Sequence, residues 1–129
     1  MLAAREFLED KDPKIVSHTA LEIFFNITKS WGLKAQEERI LLGDPASSTF
    51  YKWRNGEGPA ISKDTLERIS YVMGVYKSLR LLFPTESQAN AWPKKENRDF
   101  NGESAMNVML KGSVANLIHV RRYLDGMRE

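Results

Sequence analysis

The stretch KAQEERILLGDPASSTFYKWRN, residues 34–55, decides the fold. A short helix is expected from about Lys34 to Leu42, with Ala35, Ile40, Leu41 and Leu42 as its apolar residues. Gly43 closes it, and Gly43-Asp44-Pro45 forms a turn: glycine tolerates positive φ, and proline cannot continue the helix in front of it. A second helix runs from about Ser47 to Arg54. Phe50 and Trp53, three apart, fall on its inner side, while Ser48, Thr49, Tyr51, Lys52 and Arg54 point elsewhere. Asn55-Gly56-Glu57-Gly58-Pro59 then reads as a loop. Two short helices joined by a tight glycine-containing turn make a helix-turn-helix hairpin.

Upstream, Asp12 suits a helix N-cap and Pro13 the first helical position, where its missing N–H leaves nothing unsatisfied. Ile15, Ala20, Phe24, Ile27 and Trp31, with Ile23 beside them, mark the expected core face of this helix, and Gly32 ends it. Downstream, Ser62 caps a longer helix, with Asp64 in its first turn. Leu66, Ile69, Met73, Tyr76, Leu79 and Phe83 recur along it at spacings of three and four until Pro84. Thr85-Glu86-Ser87-Gln88 resembles a capping box for a fifth helix, which must stop near Trp92-Pro93. Lys94 to Asn101 is charged and irregular. A sixth helix is expected from about Glu103 to Leu110. A seventh starts at Ser113, carries Leu117, Ile118, Val120, Tyr123 and Leu124, and frays at Gly126. No segment sustains period-two alternation. The expected fold is therefore all-α, a helix-turn-helix module packed with a small C-terminal helical bundle.

Composition bounds the function. The 129 residues are 42% hydrophobic and 28% charged, ordinary for one small globular domain or two packed closely. The chain has no cysteine, which removes disulfides and thiolate chemistry and suits a cytoplasmic setting. No apolar run is long enough for a membrane span, and Met1 to Lys11 lacks a signal-peptide core. The net charge of +2, from 19 basic and 17 acidic residues, says little about nucleic acid by itself.

No catalytic or metal-binding constellation is visible. His18 and His119 lie far apart in separate helices and read as structural residues. Glu9-Asp10 and Glu37-Glu38 read as solvated faces. Trp31, Trp53 and Trp92 fit core positions better than stacking platforms. The expectation is a protein that is not an enzyme and needs no cofactor.

What the hairpin can do is meet DNA. Phe50 and Trp53 would pin its second helix from behind, leaving Ser47, Ser48, Thr49, Tyr51, Lys52, Arg54 and Asn55 as candidate contacts. Small hydroxyl residues at the helix N-terminus allow close approach and phosphate binding, and the two cations can neutralise phosphates or reach guanine. Equally short hairpins occur in domains with no nucleic-acid role, so this pattern alone leaves both readings open. At the other end, Arg121-Arg122 can bind an acidic partner or simply complement the negative end of their own helix dipole.

Several segments together resemble a known family. Trp31-Gly32-Leu33, Leu41-Leu42-Gly43-Asp44-Pro45 and Ser48-Thr49-Phe50-Tyr51-Lys52-Trp53 look like the Xre-type helix-turn-helix of the MbcA/ParS/Xre antitoxins. Ile61 to Ser70, Gly74 to Leu79 and Leu82-Phe83-Pro84 continue the likeness. Trp92-Pro93, Asn97, Phe100-Asn101-Gly102, Ser104-Ala105, Met109, Gly112 and Val120 to Asp125 resemble the toxin-binding domain of those proteins. The resemblance spans roughly residues 13 to 126. Lys34 departs from it, standing where such proteins often carry a serine cap, a loss of ~1 kcal/mol. The segment Pro93 to Asn97 is also more charged than the family pattern.

The resemblance implies a RES-domain toxin that consumes NAD as partner, its active site covered by the antitoxin, and promoter DNA as a second partner of a homodimer. It implies an N-terminal extension at 1–12, a helix-turn-helix module at 13–60, and a dimerisation and toxin-binding module at 61–129. Arg121, Arg122, Tyr123, Met127 and Arg128 become candidate toxin contacts. The alternatives are a stand-alone helix-turn-helix regulator with a protein-binding C-terminal half, and a protein-binding module whose hairpin is vestigial.

Overall fold

The computed structural model describes residues 12–128. The expected N-terminal extension, apart from Asp12, and the acidic pair Glu9-Asp10 lie outside them. Among the described residues the fold is all-α. Seven α-helices follow one another: α1 Pro13–Ser30, α2 Ala35–Leu41, α3 Ser47–Arg54, α4 Lys63–Leu82, α5 Glu86–Ala91, α6 Ala105–Met109 and α7 Val114–Arg128. No helix among them is long and apolar enough to cross a membrane.

The caps follow local chemistry. The Asp12 side chain accepts from the Lys14 N–H, Ser62 from Thr65, Thr85 from Gln88 and Ser104 from Asn107. Lys34 provides no side-chain cap for α2; its own N–H donates instead to Glu37 Oε1 at 2.9 Å. The turn between α2 and α3 has Gly43 at φ +92° and Asp44 at φ +58°. Arg39 braces it, donating to the Pro45 carbonyl at 2.9 Å through Nη2.

α4 is the central element. It packs along α1 on one side and α7 on the other, and one continuous apolar cluster joins Phe24, Trp31, Leu41, Phe50 and Trp53 to Ile69, Val72, Val75, Leu79, Leu117, Val120 and Leu124. Being clasped twice, α4 buries more than one stripe. Ile69 and Leu79 are fully buried, as expected, but Val72 and Val75 join them, while Leu66, Met73, Tyr76 and Phe83 sit partly buried at its margins. Arg68 ties the halves together: its Nε lies 3.3 Å from Asp64 Oδ2 and its Nη1 donates to the Gly112 carbonyl at 3.0 Å.

Four expectations need correction. Ile15 is 55% exposed. It lies nine positions before the buried Phe24, which at about 100° per residue puts it on the opposite side of α1. Ile23 is also exposed, at the edge of that face, where it lines a groove with Ile27, Met73 and Tyr76; Val16 and Leu21 complete the buried stripe instead. α7 runs through Gly126 to Arg128, because glycine stops a helix where it turns to positive φ and Gly126 does not. Finally, the irregular stretch after α5 holds two short 3₁₀ turns, Trp92–Lys94 and Arg98–Phe100, and an antiparallel bridge between Glu96 and Ser104.

Candidate nucleic-acid and toxin interfaces

α3 occupies the expected residues, and its two sides differ sharply. Phe50 and Trp53 are buried, with Phe50 packed edge-on against Phe25 of α1 at a centroid separation of 5.8 Å. Trp53 Nε1 donates to the Pro59 carbonyl at 2.9 Å, which holds the following loop against the helix end. Ser47, Ser48, Tyr51, Lys52 and Asn55 are exposed and Thr49 is half-buried. The N-cap Ala46 has no side chain to satisfy the first N–H groups of α3. That end can therefore offer them to an anion.

Arg54 is also exposed, its side chain by 40%, but it is engaged within the molecule as well. Its guanidinium forms an ion pair with Glu38 of α2, and it lies over the rings of Phe25, at 5.1 Å, and Phe50, at 5.7 Å. Glu38 is only 2% exposed, which corrects its reading as a solvated acid. Its other oxygen accepts from Thr28 Oγ1 of α1 at 2.5 Å. The signal was present in the sequence: Glu38 lies three and four positions before the buried Leu41 and Leu42, on the same face. Glu37 instead serves the start of α2 through Lys34.

The other candidates gather around α7. Arg121 reaches Asp125 at 3.3 Å, and its guanidinium lies against Gly74 of α4. A Cβ at Gly74 would come within 2.8 Å of Arg121 Nε and closer still to Cζ and Nη1, so only glycine admits this approach unchanged. Sequence reasoning missed the pairing, because 47 positions of chain separate its members. Arg122 and Met127 are exposed. Arg128 lies 3.3 Å from Ser78 Oγ and 4.0 Å from Asp125.

Tyr123 is half-buried. It stacks on Trp92 at 6.1 Å, packs against Phe100 at 4.9 Å and donates its hydroxyl to Asp99 at 2.7 Å. The Asp99 carboxylate, as hydrogen-bond acceptor, holds the Tyr123 phenol above its ordinary value of 10.0. Tyr123 thus fixes the 92–100 loop against α7. The two candidate surfaces occupy different helices, α3 packed on α1 and α7 packed on α4. Of the histidines, His18 lines a cleft with Glu22, Arg54 and Asn55, and His119 packs on Phe100 at 5.4 Å.

Comparison with known proteins bears on the C-terminal surface. Residues 78–129 match the family model described as the antitoxin Xre/MbcA/ParS C-terminal toxin-binding domain. That span contains α5, α6, α7 and all five candidate toxin contacts. The chain is also 43% identical over 108 residues to the uncharacterised protein y4oB of Sinorhizobium fredii (strain NBRC 101917 / NGR234), covering 84% of this chain and 83% of that protein. The chain belongs to the Xre/MbcA/ParS family of antitoxins, with its toxin-binding domain in residues 78–129.

Proposed function

We propose that this antitoxin neutralises a RES-domain toxin that consumes NAD by covering its active site, and that it binds the promoter of its own operon through α3. Residues 13–60 would carry the DNA contacts and residues 61–129 self-association and toxin binding. The observation that carries the DNA half is the open polar side of α3 over a buried aromatic pin. Ser47, Ser48 and Thr49 stand at the helix N-terminus for phosphate or base-edge contact, and Tyr51, Lys52 and Asn55 flank them. Two copies would set their α3 helices in successive major grooves, ~34 Å apart, which is why the proposal includes a homodimer.

The toxin half rests on the exposed end of α7, where Arg122 and Met127 reach solvent and Arg121 and Arg128 lie beside them. Cations and a flexible apolar side chain at a helix end suit a cleft built for an anionic substrate. A stable cover of that kind buries ~1,600 Å² in total. Co-purification of the chain with the product of the neighbouring gene tests both halves. The complex should spare NAD where the neighbour alone destroys it, and should shift a promoter fragment less as salt rises. A neighbour that leaves NAD intact removes the RES assignment. A fragment that is never shifted removes the promoter assignment.

A further inference from the structure

We infer that Glu38 is a positioning residue for the DNA-facing helix, acting through Arg54, and that Arg54 is a structural clamp instead of a phosphate contact. This rests on the DNA-binding reading of α3. One buried carboxylate joins three helices: Thr28 of α1 donates to one oxygen, and Arg54 at the end of α3 pairs with the other. The Arg54 guanidinium also covers Phe25 of α1 and Phe50 of α3, the aromatic contact on which α3 rests.

Two physical consequences follow. First, Arg54 carries its positive charge already matched by a carboxylate, so a nearby phosphate meets a nearly neutral pair and releases few counterions. Second, a buried carboxylate is tolerable only while its partners hold it, so the ion pair has one preferred geometry, and α3 must adopt the angle that satisfies it. The planar fork of arginine, bridging a carboxylate and two ring faces, is what lysine could not supply. Lys52, on the same helix, is exposed as Arg54 is but is not tied to that buried carboxylate, and it is the contact cation.

The test compares Lys52→Ala, Arg54→Met, Glu38→Gln and the Arg54→Met/Glu38→Gln double variant. Each full chain is titrated with a promoter duplex over a salt series. Lys52→Ala should flatten the slope of log affinity against log salt by about 1. Arg54→Met and Glu38→Gln should each weaken binding by about tenfold, as a displaced base-edge contact does, while leaving the slope unchanged. The double variant should be no weaker than the worse single, because both break one pair. Arg54→Met flattening the slope as Lys52→Ala does would overturn the inference, as would Glu38→Gln binding at wild-type strength.

Amide hydrogen exchange separates this from failure of the promoter reading or of folding. Arg54→Met should speed exchange in α3 while leaving α7 as in the wild type. If the wild type does not bind the duplex, the promoter reading falls, and unchanged exchange in α3 would still sink the clamp. Acceleration in both helices alike would mean general unfolding and would also count against a local positioning role.

Discussion

Replacing Gly74 by alanine should make the protein more stable while disturbing the surface proposed to meet the toxin. Gly74 sits inside α4, where glycine costs about 1 kcal/mol relative to alanine. Against that gain stands Arg121, whose guanidinium occupies the space of the new methyl group. The obstructing atoms are the far end of a flexible side chain, so the guanidinium can swing out without moving either helix. Its departure breaks the pair with Asp125, in which the two side chains are 35% and 41% exposed. A pair so exposed contributes about 0.5 kcal/mol. The net effect is a gain of about 0.5 kcal/mol. For a chain of this size that raises Tm by about 2 °C.

Thermal unfolding followed by circular dichroism measures the gain. In an Arg121→Ala background, where no side chain blocks the methyl, the same substitution should yield the full ~1 kcal/mol. A fall in Tm of several degrees for Gly74→Ala alone would refute the reasoning, since it would mean that α4 and α7 must separate to admit one carbon. Toxin affinity should drop in Gly74→Ala despite the added stability, and unchanged affinity would exclude Arg121 from the interface.

Deleting residues 125–129 removes the last turn of α7 and the Arg128–Ser78 contact but keeps the buried Leu124. Helix content should fall by about that one turn while toxin neutralisation is lost; normal growth of cells co-expressing the truncated chain with the toxin would show that the tail does not inhibit. Because Asp99 raises the Tyr123 pKa, the fold favours the neutral phenol. The stability this contributes is complete below about pH 10 and is lost as pH climbs through the raised value. Asp99→Asn should bring the phenolate absorbance transition back toward pH 10.0, and an unmoved transition would dissolve the link. Asn101 stands at φ 58° and ψ 34°, a left-handed position. Urea unfolding should show Asn101→Ala destabilising by ~1 kcal/mol and Asn101→Gly by much less, and equal losses would deny any backbone strain there.

The hairpin was legible because strong punctuation brackets it. Pro45 and the Asn55-Gly56 pair leave α3 one length to adopt, and the observed Ser47–Arg54 matches the expected span. The family's toxin-binding half was legible through its scattered loop residues more than through periodicity. The misreadings have physical causes. α1 carries apolar residues on more than one side, so period alone could not separate Ile15 and Ile23 from Val16 and Leu21. Gly126 looked like a terminator, yet a glycine ends a helix only when the backbone turns left-handed, which composition does not show. Glu38 and Arg54 were read as independent surface charges, because an ion pair between helices is a tertiary event that no local window contains. The same holds for Arg121 and Gly74.

α4 forms a wall of both ends of the molecule: α1 and α7 each complete their interior against it. Neither end retains a closed apolar interior once α4 is lifted away, so the chain should come apart in one cooperative step. A cellular protease that catches either end would dismantle the whole. The two proposed activities, gene silencing and poison control, would then expire together, on a single half-life.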